Sequence, residues 1–558
     1  MKAHAPPLAQ GFDDHSFDPE SMTINATATP AAPARARIRI VAVCVAVVFL
    51  ALTARAAQLA FVGPPEESAA QTRSAATSLA RAQVTDRNGV LLIGQGVAYV
   101  LVARPSEVTD PQEATRAIAR LLPGLDEATI LSRVTASQGE RFVRRGLTRE
   151  QLDSVLDLGL PGLFGQEEPR RNYPNGTLAG QLLGFTNIDL IPQAGIERGL
   201  DQAIRSNDRL ALSLDVRLQY ALEAELSAGA QAAGATAASG LLVDGATGEI
   251  LAMATWPAFN PNRPGGSTGR NLAVAGRYEL GSVLKPFTLA MALDAGVVMP
   301  NERFDVSRPL RVGDRTFEDD EPADGPLDIT GVLARSSNIA AGNAALRVGL
   351  SAQSTYLARL GFDARPDIGL PEAVPPSLPT PDGPVEVASR GFGYAMSASP
   401  LALAGAYTVF VNRGERIGLT LRPRAPENAP PRTRVFSAAA ADTILQAMTR
   451  ALPQGTGRRA VLPGLEIAGK TGTSRLLDDN GDYVEGRVLA SFAAVFPAQA
   501  PRYVLALVVE QPQRGLSPGA GATGGGVAAP IAGHAIARFA PFLGLHTAPT
   551  QAQNAPLP

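Results

Sequence analysis

Cysteine and histidine are missing from the long middle of this 558-residue chain. The single cysteine, Cys44, excludes a disulfide within the chain and a metal cluster built on cysteine. The four histidines lie close to the two ends, at His4, His15, His534 and His546. A Ser-His-Asp hydrolase needs its histidine in the folded middle, so that mechanism is excluded unless His534 serves. A zinc site with histidine ligands fails for the same reason, and we expect neither a metal nor a cofactor.

An excess of one charge is also missing, since 50 basic and 52 acidic residues give a formal charge of -2. Affinity for nucleic acid is therefore not suggested. Lysine is scarce, because almost all of the basic charge is arginine. Arginine does not act as a base in proteins, so a lysine within a reactive motif suggests a chemical reason for that residue type. If the chain is an enzyme with a serine nucleophile, lysine is a leading candidate for the base.

The first part of the chain predicts a tail and a membrane anchor. Residues 1–37 are rich in Pro, Ala, Ser, Thr and Asp, which predicts a disordered cytoplasmic tail. Residues 40–61 are mostly apolar, with Arg55 as the one charged residue, and its long side chain can reach the far interface. One transmembrane helix needs about 20 apolar residues, which this segment supplies. We place the predicted anchor at residues 38–62.

The arginines before this segment give its predicted orientation. Arg35, Arg37 and Arg39 predict an amino terminus in the cytoplasm and a body in the periplasm, with one span in the cell inner membrane. The alternative is a signal peptide cut near Ala54 or Ala56, although the long leading tail argues against it. Both alternatives place the body outside the cytoplasm.

Two predicted domains follow the anchor. Residues 63–235 predict a non-catalytic pedestal of mixed strand and helix. Within it, Asn88-Gly89 is a strong turn signal between apolar runs and predicts a hairpin, and residues 111–160 carry helical spacing with acids and arginines outside. Residues 236–545 predict the catalytic domain, and residues 546–558 predict a second disordered tail.

Strand signals come from both ends of the catalytic domain. Residues 239–244 and 249–255 predict a hairpin. The segments LEIAGKTGTS, VLASFAAVFPA and RYVLALVVEQP predict strands near the other end, and the residues between are largely helical in pattern. An antiparallel sheet made from both ends, flanked by the inserted helices, is an α/β (α+β-type) arrangement. It would carry GSVLKPF and AGKTGTS to neighbouring positions.

Ser282 and Lys285 stand three positions apart in GSVLKPF. Residues three apart on a helix share a face, so the Lys285 amine can reach the Ser282 hydroxyl and take its proton. A lysine base needs a lowered pKa, which burial and a nearby positive charge both produce, and Lys470 is the candidate for that charge. The alternative is an ordinary helix start with a surface lysine.

A second motif, Ser336-Ser337-Asn338, lies within ARSSNIAAG. Here Ser336 would relay protons between the lysines and a leaving amine, while Asn338 would bond a substrate amide. The alternative is a helix-capping cluster.

The third motif is KTGTS, beginning at Lys470. Gly472 would let a substrate backbone lie along the strand edge as an added strand. The hydroxyls of Thr471 and Thr473, together with Lys470, would hold a carboxylate. The alternative is a strand with a tight glycine turn.

Ser-x-x-Lys, Ser-x-Asn and Lys-Thr-Gly in this order are the signature of penicillin-binding proteins and serine β-lactamases. The chain resembles a class B penicillin-binding protein over residues 35–545, which implies the penicillin-binding transpeptidase fold. The likeness extends to segments outside the three motifs: TDRNG (85–89), RRNYPNGTLAGQLLGFTN (170–187), GIERGLD (195–201), LSLDVRLQ (212–219), VDGATGEILAMATWPAFNPN (243–262), YELGSVLKPFT (278–288), LASFAAVFPAQAPRYVLALVVEQP (489–512) and TGGGVAAPI (523–531).

The resemblance implies a D,D-transpeptidase mechanism. Ser282 would attack the penultimate D-alanyl carbonyl of a peptidoglycan stem peptide, and Lys285 would take its proton. The backbone N–H groups of Ser282 and Thr473 would hold the oxyanion. A side-chain amine from a neighbouring stem would then resolve the acyl-enzyme, and β-lactams would acylate the same serine.

Within class B, the YELGS form of the first motif, the moderate length and the short closing helix resemble the division-type enzymes. This likeness implies septal wall synthesis at the division site, with a divisome glycosyltransferase and regulators as partners. Two alternatives remain: an elongation-type class B transpeptidase, and a non-catalytic β-lactam receptor or divisome scaffold. The intact motif side chains argue against a dead site.

Overall fold

The computed structural model describes residues 44–50, 52–53 and 81–547, except residues 138, 266–268, 324, 426 and 478–482. Residues 44–50 and 52–53 are helical. Within these described parts of the chain, no helix is both long and apolar enough to cross a membrane. The predicted tail at 1–37, most of the predicted anchor at 38–62 and most of the predicted tail at 546–558 lie outside the described residues.

A mixed sheet forms the first part of the body. Its strands are β1 (Gln83–Thr85), β2 (Leu91–Ala103), β3 (Arg141–Leu147), β4 (Leu163–Asn172) and β5 (Arg209–Ala211). Strand β2 pairs antiparallel with β1, β3 and β4, and β1 pairs parallel with β5. The predicted hairpin at Asn88-Gly89 is confirmed, because this turn joins β1 to β2 with Gly89 at φ +87°.

The helices described in this part are Pro111–Leu121, Glu127–Val134, Arg149–Leu156, Gly180–Leu183, Gly195–Gly199 and Asp201–Ser206. The prediction of helical spacing over 111–160 is wrong at β3. In RFVRRGL, the buried Val143 and Leu147 stand four apart among arginines, which imitates a helix with a polar face. Pairing with β2 decides the local structure, since strand preference depends strongly on tertiary context.

A buried cluster of charges links distant segments of this part. Glu197 is fully buried and accepts hydrogen bonds from Arg81 Nε at 3.1 Å and from Arg171 Nε at 2.7 Å. Arg81 also pairs with the partly exposed Asp201, and Arg171 donates to the backbone carbonyl of Ala82 at 2.9 Å. The cluster therefore joins the chain before β1, strand β4 and the helix Gly195–Gly199.

The catalytic part is organised around a five-stranded antiparallel sheet. The strands of this part are β6 (Ala237–Asp244), β7 (Glu249–Trp256), β8 (Leu310–Val312), β9 (Arg315–Phe317), β10 (Glu415–Ile417), β11 (Arg432–Arg434), β12 (Ala468–Leu477), β13 (Tyr483–Phe496) and β14 (Tyr503–Glu510). The large sheet has the order β12-β13-β14-β6-β7, and every neighbouring pair is antiparallel. The prediction of a sheet built from both ends of the domain is confirmed.

Helices cover both faces of this sheet. Along β14, Val504, Ala506 and Val508 enter one core while Leu505 and Leu507 enter the other, as expected for a strand buried on both faces. One core is closed by the helices Val216–Ala233 and Ala529–Phe539. The helices inserted between β7 and β12 are Leu272–Ala275, Lys285–Asp294, Ile329–Arg335, Asn338–Val348, Leu350–Arg359, Pro384–Gly391, Pro400–Val411 and Ala438–Gln454.

Candidate active site

Ser282 lies in a 3₁₀ turn, Gly281–Leu284, which runs directly into the helix Lys285–Asp294. The regular helix therefore begins at Lys285 rather than at Ser282, and Pro286 sits in its first turn, where a missing N–H costs little. Gly281 has a φ of +64°, which glycine adopts without strain. The Ser282 side chain is partly exposed, whereas its neighbours Val283 and Leu284 are buried. This turn presents the hydroxyl-bearing residue at the surface of a packed core.

The two buried lysines meet at the second motif. Lys285 Nζ donates to Ser336 Oγ at 3.1 Å, to Asn338 Oδ1 at 2.8 Å and also to the backbone carbonyl of Ser336. Lys470 Nζ donates to the same Ser336 Oγ at 2.9 Å and to the carbonyl of Thr471 at 2.9 Å. The structure thus brings the three predicted motifs into one cluster, with Ser336 Oγ between the two amines.

Ser336 and Asn338 lie where one helix ends and another begins. Ser336 follows the helix Ile329–Arg335 and adopts the left-handed conformation, with φ 59° and ψ 42°. Asn338 opens the next helix, and its amide Nδ2 donates to the carbonyl of Glu318 at 3.0 Å. The Asn338 side chain is predicted to bond a substrate amide. In this structure its Oδ1 and its Nδ2 both form hydrogen bonds within the protein.

Ser282 and Lys285 are not joined by a hydrogen bond in the part of the chain that the structure describes, and whether the amine reaches the hydroxyl during the reaction stays a prediction. Lys285 is fully buried, and its donors are used by three acceptors in the Ser336–Asn338 turn. A buried amine is expected to be hydrogen-bonded, and the acceptors that Lys285 Nζ uses in this structure belong to Ser336 and Asn338.

Burial lowers the pKa of both lysines. The pKa of Lys285 falls to about 7, because burial disfavours the charged amine more than the negative charges of Asp319 and Asp320 favour it. The pKa of Lys470 is also lowered well below its ordinary value, first by burial and then by the positive charge of Lys285. An amine with a pKa near neutrality can accept a proton at physiological pH, which the cluster needs if it is to activate a hydroxyl.

The third motif lies on β12, one of the two edge strands of the large sheet. Thr471 Oγ1 shares a hydrogen bond of 2.5 Å with Thr456 Oγ1. Thr473 Oγ1 accepts a hydrogen bond of 3.0 Å from the backbone N–H of Gly524. Both hydroxyls predicted to hold a carboxylate are thus already oriented by neighbouring protein groups.

Gly472 is required by packing that the sequence analysis did not anticipate. A Cβ at this position would lie 2.6 Å from the carbonyl oxygen of Leu280 and closer still to Ser491 Oγ. The segment just before the Ser282 turn therefore packs directly on the Cα of Gly472. The absence of a side chain here serves the contact between the first and third motifs.

We expect Gly472→Ala to slow acylation by a β-lactam by at least about tenfold, because the added Cβ pushes β12 away from the Ser282 turn and misplaces the reacting groups. Gly265→Ala is the matched control, since a Cβ at Gly265 would meet nothing within 4 Å. The measurement is the time course of labelling by a fluorescent penicillin. Equal rates for Gly472→Ala and the unaltered chain would contradict this packing argument.

Residues outside the predicted set also contact the site. Asp319 accepts hydrogen bonds from the start of the helix Asn338–Val348, and Thr456 contacts Thr471. Glu279 accepts from the hydroxyl of Tyr483 at 2.7 Å and from a backbone amide. The acidic run FEDDE after β9 and the turn QGTG before β12 were the available signals for Asp319 and Thr456.

Among the described residues, no cluster of three or more His, Cys, Asp or Glu side chains is placed to hold a metal ion.

Two family models of known proteins match most of the chain. Residues 238–537 match the family model of the penicillin binding protein transpeptidase domain. Residues 77–213 match the model of the penicillin-binding protein dimerisation domain.

Curated relatives carry one activity in their names. The "Probable peptidoglycan D,D-transpeptidase FtsI" of Caulobacter vibrioides is 39% identical, with 84% of this chain and 82% of the relative covered. The "Peptidoglycan D,D-transpeptidase FtsI" of Escherichia coli K12 is 32% identical, with 82% of each chain covered. The "Probable peptidoglycan D,D-transpeptidase PenA" of Neisseria gonorrhoeae is 30% identical over 79% of this chain and 81% of the relative.

A solved structure supports the fold. Penicillin binding protein 3 from Mycobacterium tuberculosis, complexed with aztreonam, aligns with a TM-score of 0.66 at 24% identity, covering 86% of this chain and 98% of that chain. The same family is indicated by the observed sheet, by the two matching family models and by the extent of the similarity to named relatives. The chain therefore belongs to the class B penicillin-binding proteins of the FtsI type.

Proposed function

We propose that this chain is a membrane-anchored peptidoglycan D,D-transpeptidase that cross-links stem peptides through an acyl-enzyme on Ser282 during septal wall synthesis. The observation that carries the proposal is the convergence of two buried amines, those of Lys285 and Lys470, on Ser336 Oγ. The partly exposed Ser282 lies in the turn that leads directly into Lys285. The names of the relatives from Caulobacter vibrioides and Escherichia coli support the reaction class, and the FtsI name supports the septal role.

In the acylation step, Ser282 Oγ forms an ester bond with the carbonyl carbon of the penultimate D-alanine while the hydroxyl proton passes to Lys285. The backbone N–H groups of Ser282 and Thr473 stabilise the developing oxyanion. The C–N bond to the terminal D-alanine then breaks. The leaving nitrogen receives a proton through Ser336, whose Oγ lies within hydrogen-bond distance of both lysines.

In the second step, a side-chain amine of a neighbouring stem peptide attacks the ester carbon. The new amide forms, the ester bond breaks and a proton returns to Ser282. A β-lactam offers its ring amide in place of the donor peptide and leaves Ser282 esterified.

Thr473 remains able to bind the substrate carboxylate. Its Oγ1 accepts from the backbone N–H of Gly524, so the hydroxyl proton is free to be donated. Thr471 and Lys470 complete this carboxylate site from the same strand, and Gly472 keeps that strand in contact with the Ser282 turn.

The reaction is tested by locating the acyl group. The full chain is incubated with a fluorescent penicillin, digested and analysed by mass spectrometry, and we expect one adduct, on the peptide that contains Ser282. Heat-denatured protein is the control, because an ordinary serine is a poor nucleophile outside a folded site. An adduct on another serine, or no adduct on the folded chain, would overturn the proposal.

Acylation is expected to slow as the pH decreases through about 7. Burial lowers the pKa of Lys285 to about 7, so the amine is mostly unprotonated above that pH and loses its capacity as a base below it. Each further pH unit should lower the rate by about tenfold. The measurement is the second-order rate constant for fluorescent penicillin between pH 5 and 9, and a rate that is flat over this range would contradict Lys285 as the base.

We further propose the topology and organisation that the sequence suggested. An anchor at 38–62 would hold a pedestal at 63–235 and a catalytic domain at 236–545 in the periplasm, and family matches at 77–213 and 238–537 support this division. A divisome glycosyltransferase and regulators are proposed as partners. Imaging of a tagged chain tests the septal role: accumulation at mid-cell is expected, and a uniform side-wall distribution would favour the elongation-type alternative.

A further inference from the structure

The loop that follows β9 contacts the Ser336–Asn338 turn through the backbone carbonyl of Glu318 and through the carboxylate of Asp319. Asp319 Oδ2 accepts a hydrogen bond of 2.6 Å from Ser337 Oγ. Asp319 Oδ1 accepts from the backbone amides of Asn338 at 2.5 Å and Ile339 at 3.0 Å. Both oxygens of this side chain are therefore used to hold the residues that follow Ser336.

This attachment matters because of the backbone conformation it maintains. Ser336 is a non-glycine residue in the left-handed region, with φ 59°, a conformation that persists only where surrounding contacts impose it. Asp319 sits at the N-terminus of the helix Asn338–Val348, where a negative charge and free backbone amides are complementary. Asp319 thus secures the residue next to Ser336 and the first amides of the following helix.

The position of Ser336 Oγ depends on this turn. It lies 3.1 Å from Lys285 Nζ and 2.9 Å from Lys470 Nζ. A displacement of about 1 Å is enough to slow an enzymatic reaction strongly. Asn338 follows the same backbone, and its Oδ1 accepts from Lys285 at 2.8 Å.

The same loop also supplies charge. Among the residues that the structure describes, the charged groups that act on Lys285 are Lys470 from β12, and Asp319 and Asp320 from the loop after β9. Ser336 and Asn338 contribute only uncharged polar atoms. Both aspartates favour the protonated amine and so raise the pKa of Lys285, against the larger lowering by burial. Asp320 is exposed and makes no hydrogen bond to the Ser336–Asn338 turn among the described residues.

We propose that Asp319 is a positioning residue for acylation, which fixes the Ser336–Asn338 turn against Lys285 and places a negative charge beside that amine. This inference rests on the proposed transpeptidase function. Asp319 makes two contributions, a hydrogen-bonded attachment and a negative charge. Ser337 takes part in the attachment but carries no charge, and Asp320 carries a charge but does not take part in the attachment.

Three variants of the full chain separate these contributions: Asp319→Asn, Ser337→Ala and Asp320→Asn. The rate constant for acylation by a fluorescent penicillin is measured from pH 5 to 9 for each, and thermal unfolding is followed in parallel. Asp319→Asn should slow acylation above pH 8 by about tenfold, because the turn is less firmly held. It should also move the acid limb of the profile to lower pH by about half a unit or more, because the lost negative charge no longer favours protonated Lys285.

The other two variants should each show one effect. Ser337→Ala should slow acylation with the acid limb unmoved. It removes the hydrogen bond to Asp319 and the cap that Ser337 Oγ provides to the Ala340 amide, and it leaves the charge of Asp319 in place. Asp320→Asn should move the acid limb to lower pH with the rate above pH 8 unchanged. If Asp319→Asn fails to fold, these two variants still decide the inference through the same pair of readouts.

The outcomes keep the two proposals distinct. If the unaltered chain is not acylated at Ser282, the proposed function fails. If the unaltered chain is acylated and Asp319→Asn matches it in both rate and pH profile, the transpeptidase function stands and the role of Asp319 is overturned. A lower unfolding temperature with an unchanged pH profile and an unchanged rate above pH 8 also overturns it, because that pattern describes a merely structural residue.

Discussion

Lys285→Met is expected to slow acylation of Ser282 by about 10²- to 10⁴-fold, the range over which a positioned general base contributes. Methionine is similar in length and uncharged, so it fills the fully buried site without providing a base. It also removes the donor that Ser336 Oγ and Asn338 Oδ1 now share. The measurement is the rate constant for labelling by fluorescent penicillin at pH 8, where Lys285 is mostly unprotonated in the unaltered chain.

The control uses Lys2, the lysine that lies outside the three motifs. The chain has three lysines, Lys2, Lys285 and Lys470, and Lys2 lies outside the residues that the structure describes. Lys2 also lies outside the segments that match the two family models, 77–213 and 238–537, so Lys2→Met should be labelled at the rate of the unaltered chain. Unfolding temperatures of all three proteins establish that Lys285→Met is folded. A folded Lys285→Met that is labelled within about threefold of the unaltered rate would assign the base to another group.

Glu197→Gln is expected to destabilise the chain by about 3–5 kcal/mol, the usual cost of removing one partner from a buried ion pair. Glu197 is fully buried between Arg81 and Arg171. Arg81 keeps Asp201 as a partner. Arg171 keeps backbone carbonyls as acceptors but has no second carboxylate among the described residues. A buried guanidinium without a counter-charge is costly because it has lost its hydration.

Urea unfolding followed by circular dichroism measures this cost, and the first transition is the relevant one, because two domains need not unfold together. Asp153→Asn is the matched control. This variant removes a carboxylate from the ion pair between Asp153 and Arg149, whose side chains are 44% and 66% exposed, respectively. No measurable change in the free energy of unfolding is therefore expected. If both variants unfold at the same urea concentration, the buried cluster does not stabilise the fold in this way.

The sequence predicts best where a local pattern has one physical meaning. The Asn88-Gly89 turn, the paired strands β6 and β7 and the late strands β12 to β14 all appear as predicted. The scarcity of lysine also led to the two amines that meet at Ser336. These predictions succeeded because turn chemistry and strand alternation are properties of short segments.

The errors arose where distant residues decide the outcome. Strand β3 carries arginines at helical spacing, and only pairing with β2 makes it a strand. The spacing of Ser282 and Lys285 does not by itself indicate the hydrogen bonds that Lys285 makes with the second motif, because those acceptors are distant in sequence. Asp319 has no motif of its own, and its contacts with Ser337 and Asn338 exist only after the chain has folded.

The order of strands in the large sheet also bears on how the site comes into existence. Strand β6 pairs with β14 and places Leu242 opposite Leu505, two residues that most of the domain's sequence separates. Contacts so distant in sequence form late, because the long loop between them must first be closed. During synthesis, the β6 edge of the hairpin of β6 and β7 therefore stays unpaired until β14 has been made. Lys470 lies on β12, which is connected to β6 in the sheet only through β13 and β14, so acylation by penicillin also reports that the late strands have joined the early hairpin.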